Sequence, residues 1–194
     1  MMKIMSGKPY HHGDLRRVLL TAAVQALTEA GPAKLSLRDL ARRAGVSHAA
    51  PVHHFRDKAG LLTAVATEGF DLLADALVAA GERTGDLLEI GVAYVRFAVD
   101  HRAYFEVMFR PELYHPADPQ LLQARQRAGD SLRSGLAMLP GATTGDMPRQ
   151  AGLAAWSIAH GFATLWLGGA LPEEVGYDLE AAARPVLRLL FETG

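Results

Sequence analysis

Residues 36–55 read S-L-R-D-L-A-R-R-A-G-V-S-H-A-A-P-V-H-H-F, which divides into two short helical patterns with a three-residue turn between them. In the first pattern, Leu37, Leu40 and Ala44 recur every three or four residues, the spacing of one apolar helix face. Gly45 then supplies the left-handed backbone conformation that a tight turn between helices requires. The order of helix, turn and second short helix predicts a helix-turn-helix, in which the second helix lies in the major groove of DNA.

Five side chains around that turn have distinct expected roles. The hydroxyl of Ser36 is predicted to accept a backbone N–H at the start of the first helix, with Asp39 three residues later as an acidic variant of the capping box. Ala41 is small where the two helices would cross closely, and Val46 would fill the gap between them. Phe55 would close this small core against the preceding helix.

A basic surplus covers the predicted exposed faces of this segment, with Asp39 and Asp57 as its acidic residues. Residues 1–62 carry ten Lys and Arg against four Asp and Glu, a net charge of +6, whereas the remainder carries ten against seventeen, or −7. This distribution favours contact with a polyanion through the N-terminal region. The alternatives are a chance fluctuation and a plain helical hairpin with a solvated charged face. The basic and imidazole side chains of the segment are Arg38, Arg42, Arg43, His48, His53, His54 and Lys58.

From about Gly13 to Leu62, the sequence resembles the TetR family of regulators. The family pattern A-x-x-A-G-V-S, followed by H-F-x-x-K-x-x-L-L, is present as residues 41–47 and 54–62. The resemblance implies operator DNA as a partner and a recognition helix over 47–54, with Ser36, His53 and Lys58 on phosphates, Lys58 with help from its own helix N-terminus. The full set of predicted DNA-binding residues is Ser36, Arg38, Ser47, His48, Ala49, Ala50, His53, His54 and Lys58.

The predicted recognition helix departs from the family pattern at two positions. Val52 stands where the family usually has a tyrosine that binds a phosphate, and valine cannot donate a hydrogen bond. Pro51 removes one backbone hydrogen bond unless the helix begins near Ala49 or Ala50. Ser47 is expected to cap this helix.

The rest of the chain predicts further helices, because no period-two apolar alternation is long enough for a strand. Asp14 can cap the first helix, and Gly31-Pro32 ends it. We therefore predict an all-α fold: a three-helix helix-turn-helix domain, residues 1–60, and a six-helix ligand-binding and dimerisation domain, residues 61–194. The later helices are expected at about 58–80, 86–100, 101–109, 121–139, 147–168 and 179–192, where Pro185 must kink the last helix or mark its true start.

The last two helices are candidates for a dimer interface, which the family resemblance also implies. Residues 151–171 contain no charged side chain, so this helix needs cover on more than one side. A membrane span is one alternative, disfavoured by four glycines and the lack of a flanking positive cluster, and a monomeric core is another. The expected interface residues are Ile158, Phe162, Leu165, Leu187, Leu190 and Phe191.

Aromatic and methionine side chains of the C-terminal domain could line an apolar ligand cavity with a few polar tips. The alternative is that they are ordinary core, with His160 a hydrogen-bonded core histidine. Trp156 and His160-Gly161 also resemble the motif of a TetR subgroup. Together with the family resemblance, this predicts a repressor released by a small hydrophobic ligand, the alternative being a DNA-binding helical protein without ligand control. The candidate ligand-binding residues are Tyr94, Phe97, Phe105, Met108, Phe109, Trp156 and His160.

An all-helical enzyme is the rival class, but the chain lacks H-E-x-x-H, a phosphate-binding glycine loop and G-x-S-x-G. No metal or cofactor is expected, because the pairs His11-His12 and His53-His54 point about 100° apart on a helix and lack a nearby carboxylate or thiolate. The chain has no cysteine, and Met1–Tyr10 has no apolar run that would make a signal peptide. We therefore expect a cytoplasmic homodimer that binds double-stranded DNA and no membrane.

Overall fold

A computed structural model of the chain describes residues 12–136 and 147–189. Within these residues the fold is all-helical, without a strand, and the predicted division into three helices followed by six is confirmed. Two short 3-10 turns, Pro111–Leu113 and Glu173–Val175, lie in the loops. The helices are α1 (His12–Lys34), α2 (Leu37–Arg43), α3 (Ala49–Phe55), α4 (Lys58–Thr84), α5 (Leu87–Asp100), α6 (Arg102–Met108), α7 (Pro119–Leu136), α8 (Met147–Leu167) and α9 (Leu179–Arg188).

Aspartate side chains cap several of the later helices. Asp57 accepts the backbone N–H of Gly60 at 2.7 Å, before α4. Asp86 and Asp178 act in the same way before α5 and α9. Each bond satisfies a backbone donor that has no partner within its helix. The helix starts are therefore determined by local chemistry, and they agree with the boundaries expected from the sequence.

Two local expectations are wrong, and a third is narrowed to one of its alternatives. α1 begins at His12, so Asp14 lies inside the helix rather than at its cap. Ser36 precedes α2 with an extended backbone, but its side chain makes no capping hydrogen bond. Of the two alternatives for Pro185, the helix start is excluded, because Pro185 lies within α9, which begins at Leu179.

α4 is the central helix of the fold. It packs against α5, α6 and α7, while α5 also packs against α8 and α9. The short helix α6 lies against both α4 and α1. One continuous cluster of buried apolar side chains extends from Leu19 on α1 to Leu187 on α9. The three N-terminal helices are therefore packed directly onto the rest of the molecule.

No helix in the described part of the chain is both long enough and apolar enough to cross a membrane.

Candidate nucleic-acid interface and aromatic cluster

The turn between α2 and α3 has the predicted geometry. Gly45 has a φ of 65°, which only glycine adopts readily. The next residue, Val46, donates its backbone N–H to the carbonyl of Ala41 at 3.0 Å. Ala41 itself has no exposed surface, as expected where two helices cross closely. The turn thus holds α3 at a fixed angle to α2.

Two buried side chains determine which face of α3 is exposed. Pro51 and Phe55 lie four residues apart and point into the core, with Phe55 also beneath the guanidinium of Arg16. The opposite face carries Ala49 and His53, which are exposed. Of the remaining predicted DNA-binding residues, Ser36, Arg38, Ser47 and His48 are also exposed, while Ala50, His54 and Lys58 are partly buried.

Pro51 is accommodated because α3 begins at Ala49. Pro51 is therefore the third residue of the helix, where a backbone N–H would have no partner within the helix. The expected serine cap is wrong, since His48 occupies the capping position and no side chain caps α3.

Two arginines of α2 are held by acidic side chains. Arg43 donates to Asp39 at 2.7 Å and to Glu29 of α1 at 2.6 Å. Arg42 also pairs with Asp39. Hydrogen bonds from Arg43 and Arg42 lower the pKa of the Asp39 carboxyl below its usual value. These contacts bind α2 to α1 and occupy part of the basic surplus, whereas Arg38 has no hydrogen-bond or ion-pair partner among the described residues.

Lys58, the first residue of α4, donates its ammonium group to the carbonyl of Ala33 at 3.2 Å. This bond joins the start of α4 to the end of α1. The predicted contact of Lys58 with phosphate would therefore compete with, or be added to, an existing intramolecular bond.

The junction between α3 and α4 is tight. Arg56 has a φ of 68° and a ψ of −60°, and across it the N–H of Asp57 donates to the carbonyl of Phe55 at 2.9 Å, which makes a γ-turn. A β-carbon added to Gly60 would collide with the carbonyl oxygen of Phe55. The absence of a side chain at residue 60 thus allows the end of α3 to pack against the first turn of α4.

Five of the predicted ligand-binding residues come together in what we call the aromatic cluster: Tyr94, Phe105, Phe109, Trp156 and His160. Their rings come from α5, from α6 and its end, and from α8. The ring centroids of Phe109 and His160 are 4.5 Å apart, and those of Phe105 and His160 are 5.1 Å apart. Such edge-on and tilted contacts are the favoured geometry for aromatic pairs.

A chain of hydrogen bonds, the polar relay, runs through the aromatic cluster. The indole N–H of Trp156 donates to the hydroxyl of Tyr94 at 3.1 Å, and this oxygen lies 2.9 Å from Nδ1 of His160. Because an indole can only donate, the tyrosine hydroxyl accepts from Trp156 and is still able to donate its own hydrogen to Nδ1. In that arrangement Nδ1 is unprotonated, and a neutral His160 carries its proton on Nε2. Burial lowers the pKa of His160 below 6.5 and raises that of Tyr94, which favours these neutral forms.

The other two predicted ligand-binding residues pack elsewhere. Phe97 lies against the ring of His101. Met108 lies over Gly69 of α4, where an added β-carbon would be 2.7 Å from its sulfur. We expected the predicted ligand-binding residues to wall a void. Instead, the cavity beside Tyr94 and Trp156 measures only about 20 Å³, room for about one water.

The predicted dimer residues separate into two groups. Phe162 and Leu187 are buried inside the protomer, Leu187 against Gly91, so assigning them to a partner surface is wrong for these two. Ile158 is partly buried, and Leu165 is 47% exposed. Leu190 and Phe191 lie outside the described residues. Other apolar side chains, which the sequence did not single out, are exposed on these two helices or directly after α9, namely Leu153, Val186 and Leu189.

Sequence reasoning also missed the polar relay. A signal was present, because Trp156 and His160 lie four residues apart and therefore share one face of α8. Their partner Tyr94 comes from a distant part of the chain, which periodicity cannot reveal. In the described part of the chain, no three His, Asp or Glu side chains are grouped closely enough to hold a metal ion.

Comparisons with known proteins agree with this geometry. Among solved structures, a protein of unknown function from Rhodococcus sp. RHA1 is 37% identical, covers 95% of this chain and 97% of its own, and superimposes with a TM-score of 0.80. The TetR family transcriptional regulator PfmR from Thermus thermophilus is 26% identical, with coverages of 89% and 96% and a TM-score of 0.62. The curated relative BetI, an HTH-type transcriptional regulator of Escherichia coli O139:H28, is 41% identical over 63 residues, which span 32% of each chain.

Two family models match the sequence. Residues 19–65 match the tetR family of bacterial regulatory proteins. Residues 87–190, more than half of the chain, match the tetracyclin repressor-like C-terminal domain. On the strength of both matches and of the helix-turn-helix geometry, the chain belongs to the TetR family of regulatory proteins.

Proposed function

We propose that the protein is a transcriptional regulator that binds operator DNA as a homodimer, with residues 1–60 as the DNA-binding domain and residues 61–194 as the ligand-binding and dimerisation domain. The observation that carries this proposal is the orientation of α3. Its buried Pro51 and Phe55 leave a solvent-facing surface with no acidic side chain. This surface belongs to the part of the chain with a net charge of +6.

The proposed DNA contacts are of two kinds. Four residues at the start of α3 or just before it are assigned to base edges: the exposed Ser47, His48 and Ala49 and the partly buried Ala50. Ser36, Arg38, His53, His54 and Lys58 flank them and are assigned to the backbone, where they would position the domain without reading sequence. Among the described residues, the Ser36 hydroxyl caps no helix and the Arg38 guanidinium has no partner. Both groups are therefore available to a phosphate, which supports this division.

We further propose that a small, largely apolar ligand controls DNA binding and releases the protein as a repressor. The site is the aromatic cluster, with the TetR subgroup motif Trp156…His160-Gly161 on one wall. Because these rings are in mutual contact and the cavity beside Tyr94 and Trp156 measures only about 20 Å³, a ligand must part the rings to enter. A ligand acts only through its different affinity for two conformations, so opening the cluster would be the step that it favours.

A regulator of this kind binds chromosomal DNA, so we also assign the protein to the cytoplasm. A DNA-binding helical protein without ligand control is the second candidate, and the closely packed aromatic cluster is the observation that favours it.

Selection of duplexes from a random pool by the purified chain tests the DNA-binding half. The expected product is a pseudo-palindrome whose half-sites are spaced by the two recognition helices of a dimer. A pool that shows no enriched sequence would contradict the proposal.

A thermal-shift screen with small hydrophobic compounds tests ligand control. A specific ligand raises the unfolding temperature by mass action. By linkage, the compound must weaken operator binding by the same factor by which the operator weakens binding of the compound. Compounds that stabilise the protein without changing operator affinity would support the second candidate instead.

A further inference from the structure

Val52 is an exposed aliphatic side chain on α3. It is 51% exposed, and among the described residues of α1 to α3 the one other large apolar side chain with comparable exposure is Val18, at 42%. A single exposed valine on a protein surface needs no explanation. Val52, however, lies on the helix that is proposed to enter the major groove.

The neighbours of Val52 on α3 are determined by the buried residues. Since Pro51 and Phe55 face the core, Ala49 and Val52 lie three residues apart on the exposed side and are adjacent on the helix surface. They span roughly 4.5 Å along the helix axis at 1.5 Å per residue. We call this pair the apolar strip; it is slightly longer than the separation of about 3.4 Å between successive base pairs.

The major groove offers few partners to such a strip. The edges of guanine, adenine and cytosine present hydrogen-bond donors and acceptors, whereas thymine also presents a 5-methyl group. A valine placed against a donor or acceptor would displace water from it without replacing the hydrogen bond. Against a thymine methyl, the same side chain buries apolar surface on both partners.

We infer that Val52, with Ala49 beside it, contacts the 5-methyl group of a thymine in each operator half-site and is a specificity-determining residue. This inference rests on the proposed DNA-binding function. It also gives a physical reason for the departure from the family pattern at this position. A tyrosine there would bind a phosphate whatever the sequence, whereas valine exchanges that contact for one that depends on the base.

The test uses the full chain and the operator obtained by selection. Each thymine of a half-site is replaced in turn by deoxyuridine, which keeps every hydrogen-bonding group and lacks only the methyl. For the wild-type protein we expect one or two positions per half-site at which this change weakens binding, by about fourfold per methyl. At those positions Val52→Ala should lose most of the difference between thymine and deoxyuridine.

Two further variants make the result specific. Val52→Thr is close in shape but replaces one methyl by a hydroxyl, so it should also reduce the preference for thymine. Because it keeps the shape of valine, it also shows whether the result for Val52→Ala comes from a folding defect. Val18→Ala makes the same deletion at an exposed valine of α1 and should keep the full wild-type difference.

The inference is overturned if the wild-type protein tolerates deoxyuridine at every position, or if Val52→Ala and Val52→Thr remain as sensitive as wild type. Failure to select any sequence would instead count against the proposed function, so the two failures can be told apart.

Discussion

Arg56 is the single non-glycine residue with a positive φ in the described part of the chain. A side chain in this region of backbone space meets its own backbone, at a typical cost of about 1–3 kcal/mol. Hydrogen bonds on both sides maintain the conformation, from Arg56 N–H to the carbonyl of Val52 at 2.8 Å and from Asp57 N–H to that of Phe55 at 2.9 Å. Local strain is therefore stored where the proposed recognition helix joins α4.

Replacing Arg56 with glycine should release this strain. Glycine adopts positive φ readily, but it loses about 0.5–1 kcal/mol through the greater freedom of the unfolded chain. We expect Arg56→Gly to raise the free energy of unfolding by about 1 kcal/mol, measured by urea denaturation. Arg56→Ala removes the same side chain without relieving the backbone, and equal stability of the two variants would contradict the prediction.

The lowered pKa of His160 has a consequence for the pH dependence of stability. Because burial holds its pKa in the folded protein below 6.5, the unfolded chain binds more protons at acid pH. The stability that comes from this depressed pKa is complete above about pH 6.5 and is lost as the pH falls through the pKa of the folded state.

His160→Asn should therefore flatten the pH dependence of stability. The asparagine carbonyl can accept the hydroxyl of Tyr94 in place of Nδ1, and it does not titrate. Urea denaturation from about pH 7 to about pH 5 should show a larger loss of stability for wild type than for the variant. The other seven histidines are the same in both proteins, so their contributions cancel in the comparison. Parallel profiles would show that His160 does not titrate in this way.

At the scale of the helix, α8 shows which features a sequence can predict. Its limits were predictable, but its rotation was not, because a helix without a charged face gives no periodic signal for its buried side. In the structure, Ala155, Ala159 and Ala163 face the core together with Phe162, since small residues let α8 approach α5 closely. The prediction that Phe162 faces a partner was therefore wrong, whereas Leu165, which was predicted to lie on the same surface, is exposed.

The same contrast applies to the functional regions. The turn at Gly45 and the core position of Phe55 follow from local chemistry, and both were predicted. The separation of Phe97 and Met108 from the aromatic cluster depends on contacts between distant segments, as does the polar relay. Sequence spacing identifies the face of a helix but not its neighbour.

The exposed face of α8 yields a prediction about assembly. Leu165, 47% exposed, lies in an open groove with Ile158 and Val186. We expect Leu165→Glu to place a charge in the proposed dimer interface and to give a folded monomer, measured by light scattering and circular dichroism.

Leu122 on α7 is 48% exposed and is the matched control, so Leu122→Glu should remain a dimer. Phe162→Asp should instead destabilise the protomer itself, because that side chain is buried within it. A dimer that is unaffected by Leu165→Glu would exclude this part of α8 from the interface.

At the scale of the whole molecule, charge is divided along the chain, with +6 in residues 1–62 and −7 in the remainder. The attraction of DNA for the basic end should make binding steeply dependent on salt, because each phosphate contact releases a counterion. Arg38→Ala should weaken binding to all sequences alike and reduce the log–log salt slope by about one. Fluorescence anisotropy over a salt series measures both quantities.

Arg83→Ala is the control for that measurement. Arg83 is exposed in the last turn of α4, roughly 38 Å along the helix from its start at 1.5 Å per residue. Its loss should leave the slope unchanged. A change in sequence preference with Arg38→Ala, at unchanged affinity, would mean that Arg38 reads a base.

The tight junction between α3 and α4 makes the two helices one mechanical part. With the carbonyl of Phe55 seated against Gly60, α3 must follow any movement of the 27-residue α4, which acts as a lever roughly 40 Å long. A tilt of about 5° around the far end of that lever carries α3 sideways by roughly 3.5 Å, close to one base-pair step. In the proposed homodimer, a rotation of α4 by a few degrees in each protomer would be enough to shift both recognition helices by about one base-pair step along the double helix.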